Sequence, residues 1–261
     1  MARDIVGRAL WRDAVVITVD VDWASDPAID EVARQLLAAG VRSTWFVTHA
    51  SPAIDRLRGR PDLFELALHP NFLPGSTHGS DAEEVIAHCR RLVPEARAVR
   101  THGLAQSSLL INRLTELAFA ADLSIFLPHH PGVVPLDHWH AGRRLVRLPY
   151  IWEDDVEGER PEPVWDVTAL LSRPGLHVLD FHPIHVCLND PGPTAYRRLK
   201  QRCPKIGDAT AADIADFRRD GIGPASMLRS AIAHLAATGR SWRVSDILAE
   251  MPGSNRSGSP R

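Results

Sequence analysis

The sequence predicts an α/β protein with a single domain, a (β/α) barrel of about seven parallel strands, closed or irregular, over residues 1–251. Three observations carry this. Short β-branched runs alternate with helical patterns of roughly 10–15 residues, the signature of βαβ units and a parallel sheet. The chain has 261 residues, 44% hydrophobic and 24% charged, which suits one such barrel and excludes disordered and fibrous classes. Acidic, histidine and arginine residues recur where the strands end, the rim on which parallel barrels carry their active sites.

The elements follow in order. Val15 to Val19 is a β-branched run ending at Asp20 and Asp22. Pro27 opens a helical pattern with Ile29, Val32, Leu36 and Leu37 on one face, Asp26 as its cap and Gly40 as its stop. A strand over 41–48 delivers His49, and after a helix at 52–60 a strand over 63–68 delivers His69. A helix at 81–92 precedes a short strand at 98–100 with Arg100 and His102 at its exit. A helix at 106–120 is followed by strands at 123–127 and 144–148, and Leu114, Leu117, Ala118 and Ala121 read as a core stripe. The last strand, 176–182, ends on His182, with His185 just beyond Pro183. Residues 252–261 (PGSNRSGSPR) are small and polar and read as a disordered tail.

Composition narrows the function. Thirty basic against thirty-two acidic residues give no electrostatic footprint for a nucleic-acid partner. No apolar stretch approaches the roughly 18 residues of a membrane span. Arg3, Asp4, Arg8, Arg12 and Asp13 occupy the place of a signal peptide's apolar core. The cysteines Cys89, Cys187 and Cys203 form no Cys-x-x-Cys pair, which fits a reducing compartment, and the expected location is cytoplasmic.

The chemistry-bearing residues point to a metal or acid–base site. Asp20 and Asp22 stand at strand spacing, so their carboxylates leave on one face and repel unless a cation or an arginine lies between them. A strand delivers His69, and a Pro/Gly-containing loop returns with His78. Imidazole plus carboxylate is the usual donor mixture for Zn²⁺ or a similar ion, and catalytic zinc takes three protein ligands. A single histidine after a strand is more often a hydrogen-bonded rim residue; the recurrence at several exits favours a site.

Thr18-Val-Asp20-Val-Asp22, Glu65-x3-His69, Arg100-Thr-His102-Gly103 and Leu179-Asp-Phe-His182 follow the motif order of the polysaccharide deacetylases, carbohydrate esterase family 4 with the NodB-homology domain. The chain resembles that family over about residues 14–190. His69-Pro-Asn-Phe-Leu-Pro-Gly-Ser with Phe181-His-Pro-Ile-His185 is similar to its WbmS-like branch, associated with O-antigen and surface-polysaccharide gene clusters. The resemblance implies a deformed (β/α) barrel. It makes Asp20 the general base, Arg100 the partner of that base and His182 the general acid. Asp22 and His69 become metal ligands, with His78 in the place of the family's second histidine and His102 or His185 as alternatives. Thr101-His102-Gly103 stands where the family has Pro-Pro-Tyr, so a backbone amide there would meet the oxyanion. Trp152 and Asp154 occupy the place of the motif that walls the acetyl pocket and steadies the acid, or else form an acidic loop with an aromatic anchor. Asp180 is expected to orient His182. Asn71 and His185 complete the expected substrate contacts, with Asx turns as the plainer role for Asn71 and Asn189. The segment from His129 and His130 to His138, Trp139 and His140 is expected to be a solvated loop. The implied cofactor is one divalent metal ion, zinc first, with cobalt, nickel or manganese as alternatives. The implied activity is N-deacetylation of an amino sugar in a glycan precursor. Its rivals are hydrolysis of another C–N bond and a catalytically idle carbohydrate-binding barrel.

Overall fold

Residues 14–251 are described by the computed structural model. The expected tail at 252–261 and the charged segment at 1–13 lie outside them. β1 (Val15–Asp20) is buried along its whole length, as a central strand of a parallel sheet must be. It pairs in parallel with β2 (Ser43–Val47) on one side and β9 (His177–Phe181) on the other. Beyond β2 the sheet continues in parallel through β3 (Phe64–Leu68), β4 (Ala98–Val99), β5 (Ala121–Asp122) and β7 (Arg143–Arg147). From β7 the chain runs on into β8 (Trp152–Glu153), which pairs in parallel with β9. A bridge between Phe126 and Tyr150 ties the segment after β5 to this continuous β7–β8 stretch. Leu127 N–H and His129 N–H donate to the Tyr150 and Ile151 carbonyls alongside it. The ladder thus closes through β1, β2, β3, β4, β5, β7–β8 and β9, a deformed seven-stranded barrel.

Side-chain alternation then builds the site. Val16, Phe46, Ala67, Ala98 and Val178 belong to the small core inside the barrel. Val15, Ile17, Trp45, Leu66 and Leu179 face the core beneath the helices. Two residues further along, the inward positions turn polar: Val16 gives way to Thr18 and Asp20, Ala67 to His69, Ala98 to Arg100, and Val178 to Asp180 and His182. All of these polar residues are buried. The apolar floor therefore ends in a charged layer at the strands' C-terminal ends.

The outer helices start where short polar caps accept orphan N–H groups. Ser51 caps α2 (Pro52–Arg58), Asp81 caps α3 (Ala82–Leu92) and Ser107 caps α4 (Ser108–Glu116). α1 (Asp26–Ala38) starts from Ser25 rather than from Asp26, and buries Ile29, Val32 and Leu36. The remaining helices are α5 (Asp154–Glu157), α6 (Val167–Leu171), α7 (Pro183–Leu188), α8 (Thr194–Arg202), α9 (Ala211–Ala215), α10 (Pro224–Thr238) and α11 (Val244–Ala249). β10 (Ser241–Trp242) adds to the N-terminal end of β1. Among the described residues no helix is long and apolar enough to cross a membrane.

Three expectations are corrected here. α4 stops at Glu116, so Leu114 is buried while Ala118 turns at φ 60 and Ala121 opens β5. The strand expected at 123–127 is only the Phe126 bridge beyond β5. β6 (Leu136–His140) replaces a solvated loop: it pairs antiparallel with β7, and His138 and His140 reach Asn112 and Glu116 on α4.

Candidate active site

Asp20 ends β1 and is 3% exposed. Val21 N–H still donates to Phe46 O, after which Asp22 and Trp23 take φ of 43° and 52°, a conformation costly for residues with a Cβ. Asp22 thus reaches the site through a left-handed turn, not by strand alternation. Trp23 N–H donates to Thr48 Oγ1, pinning that turn to the exit of β2.

Three donors converge there. His69 Nε2 and His102 Nδ1 each lie 3.0 Å from Asp22 Oδ1, and 3.3 Å from each other. Donors bonded to a tetrahedral ion at 2.0–2.1 Å stand about 3.3 Å apart. The residues present, two imidazoles and one carboxylate, therefore fit a divalent cation in both chemistry and spacing.

His78 does not join them. Its Nε2–H donates to Thr48 O at 2.8 Å, and its Nδ1 accepts the Asn71 N–H at 3.1 Å, with Cys89 Sγ at 3.3 Å. The ring stacks on His88. Burial pushes its pKa down to about 4, so it stays neutral and staples its own loop. His102, expected on the substrate side, takes the position expected for His78.

Arg100 lies beneath, 1% exposed, with the Phe46 and Tyr150 rings each 4.5 Å from its guanidinium carbon. Its Nη1 donates to Asp20 Oδ1 at 2.8 Å and also to Asp180 Oδ1, and its Nη2 to Thr18 Oγ1. Burial raises the Asp20 carboxyl well above its ordinary range; Arg100 opposes this, and Asp180 adds to it. Arg100 lowers the Asp20 pKa without overcoming burial, since its one guanidinium is shared between two buried carboxylates. Burial would raise Asp22 too, but hydrogen bonds from His102 and His69 hold it well below the usual value.

Asp180 faces inward level with Thr18 and is committed to Arg100, not to His182. The partner of His182 is Asp154, whose Oδ1 is 2.7 Å from Nδ1 and whose Oδ2 accepts the backbone N–H at 2.8 Å. Burial would lower the His182 pKa, but the Asp154 charge and hydrogen bond raise it well above the ordinary value. The other nitrogen, Nε2, lies 3.6 Å from Asp22 Oδ2. Because β9 is next to β1, His182 sits beside Asp20.

The expected substrate contacts divide. Asp154 is spent on His182. Trp152 is fully buried, donates its indole N–H to Val164 O and packs on Phe181 and Trp165, so it is core. Asn71 Oδ1 accepts the Leu73 N–H in an Asx turn. Asn189 caps α7 and bonds to the backbones of Arg219, Gly221 and Ala225. His185 stands against His182 and Tyr196, its pKa lowered by burial. His102 N–H is given to Pro70 O, and Gly103 follows at φ 60. Sequence reasoning overlooked Trp23, whose ring lies 5.2 Å from that of His102 and 5.3 Å from that of His78.

Among curated proteins, no significant match is found. The profile of the WbmS-like polysaccharide deacetylases matches residues 17–200. The chain is 32% identical, with a TM-score of 0.75, to a Bordetella bronchiseptica protein assigned as a polysaccharide deacetylase involved in O-antigen biosynthesis; the match covers 88% of this chain and 94% of that one. A polysaccharide deacetylase assigned in Mycobacterium smegmatis shares the fold at 18% identity and a TM-score of 0.57, covering 91% and 90%. So does the 4-alpha-glucanotransferase of Thermococcus litoralis, at 11% identity and a TM-score of 0.51, over 91% of this chain and 38% of that one. The barrel, the ordered polar rim and a profile match over most of the chain lead to one conclusion: this chain belongs to the WbmS-like polysaccharide deacetylase family.

Proposed function

We propose that the chain is a metal-dependent N-deacetylase acting on an amino sugar of a surface-polysaccharide or O-antigen precursor in the cytoplasm. The observation that carries it is the Asp22, His69 and His102 donor trio with two acid–base residues, Asp20 and His182, beside it. Asp22, His69 and His102 would hold the ion, zinc first, and a divalent ion there supplies Lewis-acid polarisation of the acyl carbonyl. Asp20, made more basic by burial, takes the proton of the attacking water, and Arg100 fixes its direction. The Gly103 N–H meets the developing oxyanion. His182, protonated because Asp154 faces it, gives its proton to the departing sugar nitrogen.

The test is metal analysis of the purified protein together with acetate release from N-acetylated amino sugars. Near-stoichiometric divalent metal, with acetate release abolished by chelation and restored by metal, is the expected result. Acetate release that survives complete metal removal would overturn the metal-dependent reading.

A further inference from the structure

A cleft of about 520 Å³ opens at the N-terminal end of the barrel, opposite the rim that carries the donor trio. Arg97 stands just before β4, Arg143 and Arg144 open β7, and α11 adds Leu248. Phe119, Val146 and Met251 line it from the buried side, so the floor is apolar.

The charge around that floor is unbalanced. Arg144 is spent on Asp137. The Glu65 carboxyl accepts from Thr44 Oγ1 and from the Ser245 N–H, and burial raises its pKa. Arg143 uses one nitrogen on Glu116 O. Arg97 is exposed, and its side chain has no hydrogen bond or ion pair among the described residues. Two guanidinium groups beside an apolar floor suit an anion with an apolar body, and phosphate is the anion that a guanidinium fork meets at two points.

Trp139 indicates what that body is. On the antiparallel β6–β7 pair it lies directly opposite Arg144, as Asp137 lies opposite Val146, so the four side chains share one face of the hairpin. The Arg144 Nε bond to Asp137 Oδ1, 2.7 Å long, agrees. Arg144 and Val146 line the cleft, which puts Trp139 on its margin, 62% exposed. An open indole beside arginines is a stacking platform for a planar ring, and every nucleobase has a π-face to lay on it.

From this juxtaposition we infer that the cleft binds a nucleoside phosphate, with the base on Trp139 and the phosphate on Arg97 and Arg143. Its volume is that of a small-ligand pocket. The inference goes beyond the deacetylase reading and does not depend on it, because the cleft and the donor trio lie at opposite ends of the strands. Residues 252–261 follow Met251 in sequence, but they carry Arg256 and Arg261 and no acidic residue, so like charge sets them against this cleft.

The test is calorimetric titration of the metal-loaded full chain with adenosine 5′-diphosphate, and with adenosine and inorganic pyrophosphate as its two halves. One saturable site is expected for the diphosphate, about tenfold or more tighter than for either half, because both contacts are then made in one molecule. Arg97→Glu, at an exposed side chain with no partner to lose, should weaken the diphosphate about tenfold or more by turning attraction into repulsion. Trp139→Ala should weaken adenosine and the diphosphate and leave pyrophosphate unchanged. Removing the metal should leave all three affinities as they were. The assignment is overturned by an absence of saturable diphosphate binding, by an affinity that survives both Arg97→Glu and Trp139→Ala, or by binding that disappears with the metal. Uptake of decyl phosphate in place of the diphosphate would make the occupant a lipid and overturn it as well.

Discussion

Asp154 grips His182 at two points, the ring Nδ1 at 2.7 Å and the backbone N–H at 2.8 Å. One carboxylate therefore sets both the ring's charge and the turn that carries it. In Asp154→Asn the negative charge is lost while burial remains, so the His182 pKa should fall. A general acid works only while protonated: its rate is kept below its pKa and lost above. The alkaline limb of the kcat/KM profile on an N-acetyl sugar should therefore move to lower pH, with a loss on the order of 10² at neutral pH. An alkaline limb that stays in place would show that His182 is not the acid.

Asp20 stands apart from the donor trio, with its Oδ2 3.5 Å from His69 Nε2. Asp20→Asn keeps shape and removes the base, and Arg100 stays anchored by Asp180 and Thr18. The variant should bind metal as the parent does and lose on the order of 10² or more in rate. Metal content and single-turnover rate on one preparation check this; loss of metal would make Asp20 a ligand instead.

Arg100 is the only arginine or lysine paired with Asp20 and Asp180 among the described residues. Arg100→Met should cost about 3–5 kcal/mol at neutral pH, because two buried carboxylates lose the guanidinium bonded to both. The sign with pH follows from Asp20, already raised by burial and raised further without Arg100. Such a group destabilises the fold when ionised, so the deficit should shrink as pH falls through that raised value towards the ordinary carboxylate range. Urea unfolding at neutral and mildly acidic pH measures it, and a deficit that grows on acidification would contradict the account.

How far the sequence reveals this site depends on what fixes each residue. Asp20, His69, Arg100 and His182 could be read because strand alternation sets their direction, and the apolar runs before them mark the strands. Asp180 could be assigned to the inward face but not to a partner. That depended on β9 lying beside β1, level with Thr18, which no local pattern encodes. Asp22 reaches the rim by a route other than strand alternation, since its left-handed turn has no glycine to announce it. His102 and His78 are where local reading fails. Both lie in irregular segments, and nearness in sequence to His69 favoured the one whose ring is consumed in closing its own loop. The β7–β8 closure was missed for a similar reason: Leu148 to Ile151 continues a strand through a proline.

The exchange of His78 for His102 gives the sharpest prediction. His102→Ala, like Asp22→Ala and His69→Ala, should abolish stoichiometric metal binding, because each removes one donor of a set whose mutual spacing matches a tetrahedral ion. His78→Ala should keep metal, since neither of its nitrogens faces the trio. It should instead leave the Thr48 carbonyl, the Asn71 N–H and the stacked His88 without their partner. Losing a buried hydrogen-bonded group of this kind costs about 1–3 kcal/mol, and the first part to loosen should be the loop over residues 70–80. Metal analysis of the four variants, set beside limited proteolysis of that loop, separates the two roles. His78→Ala protein that is empty of metal yet resists cleavage as the parent does would restore His78 as the ligand.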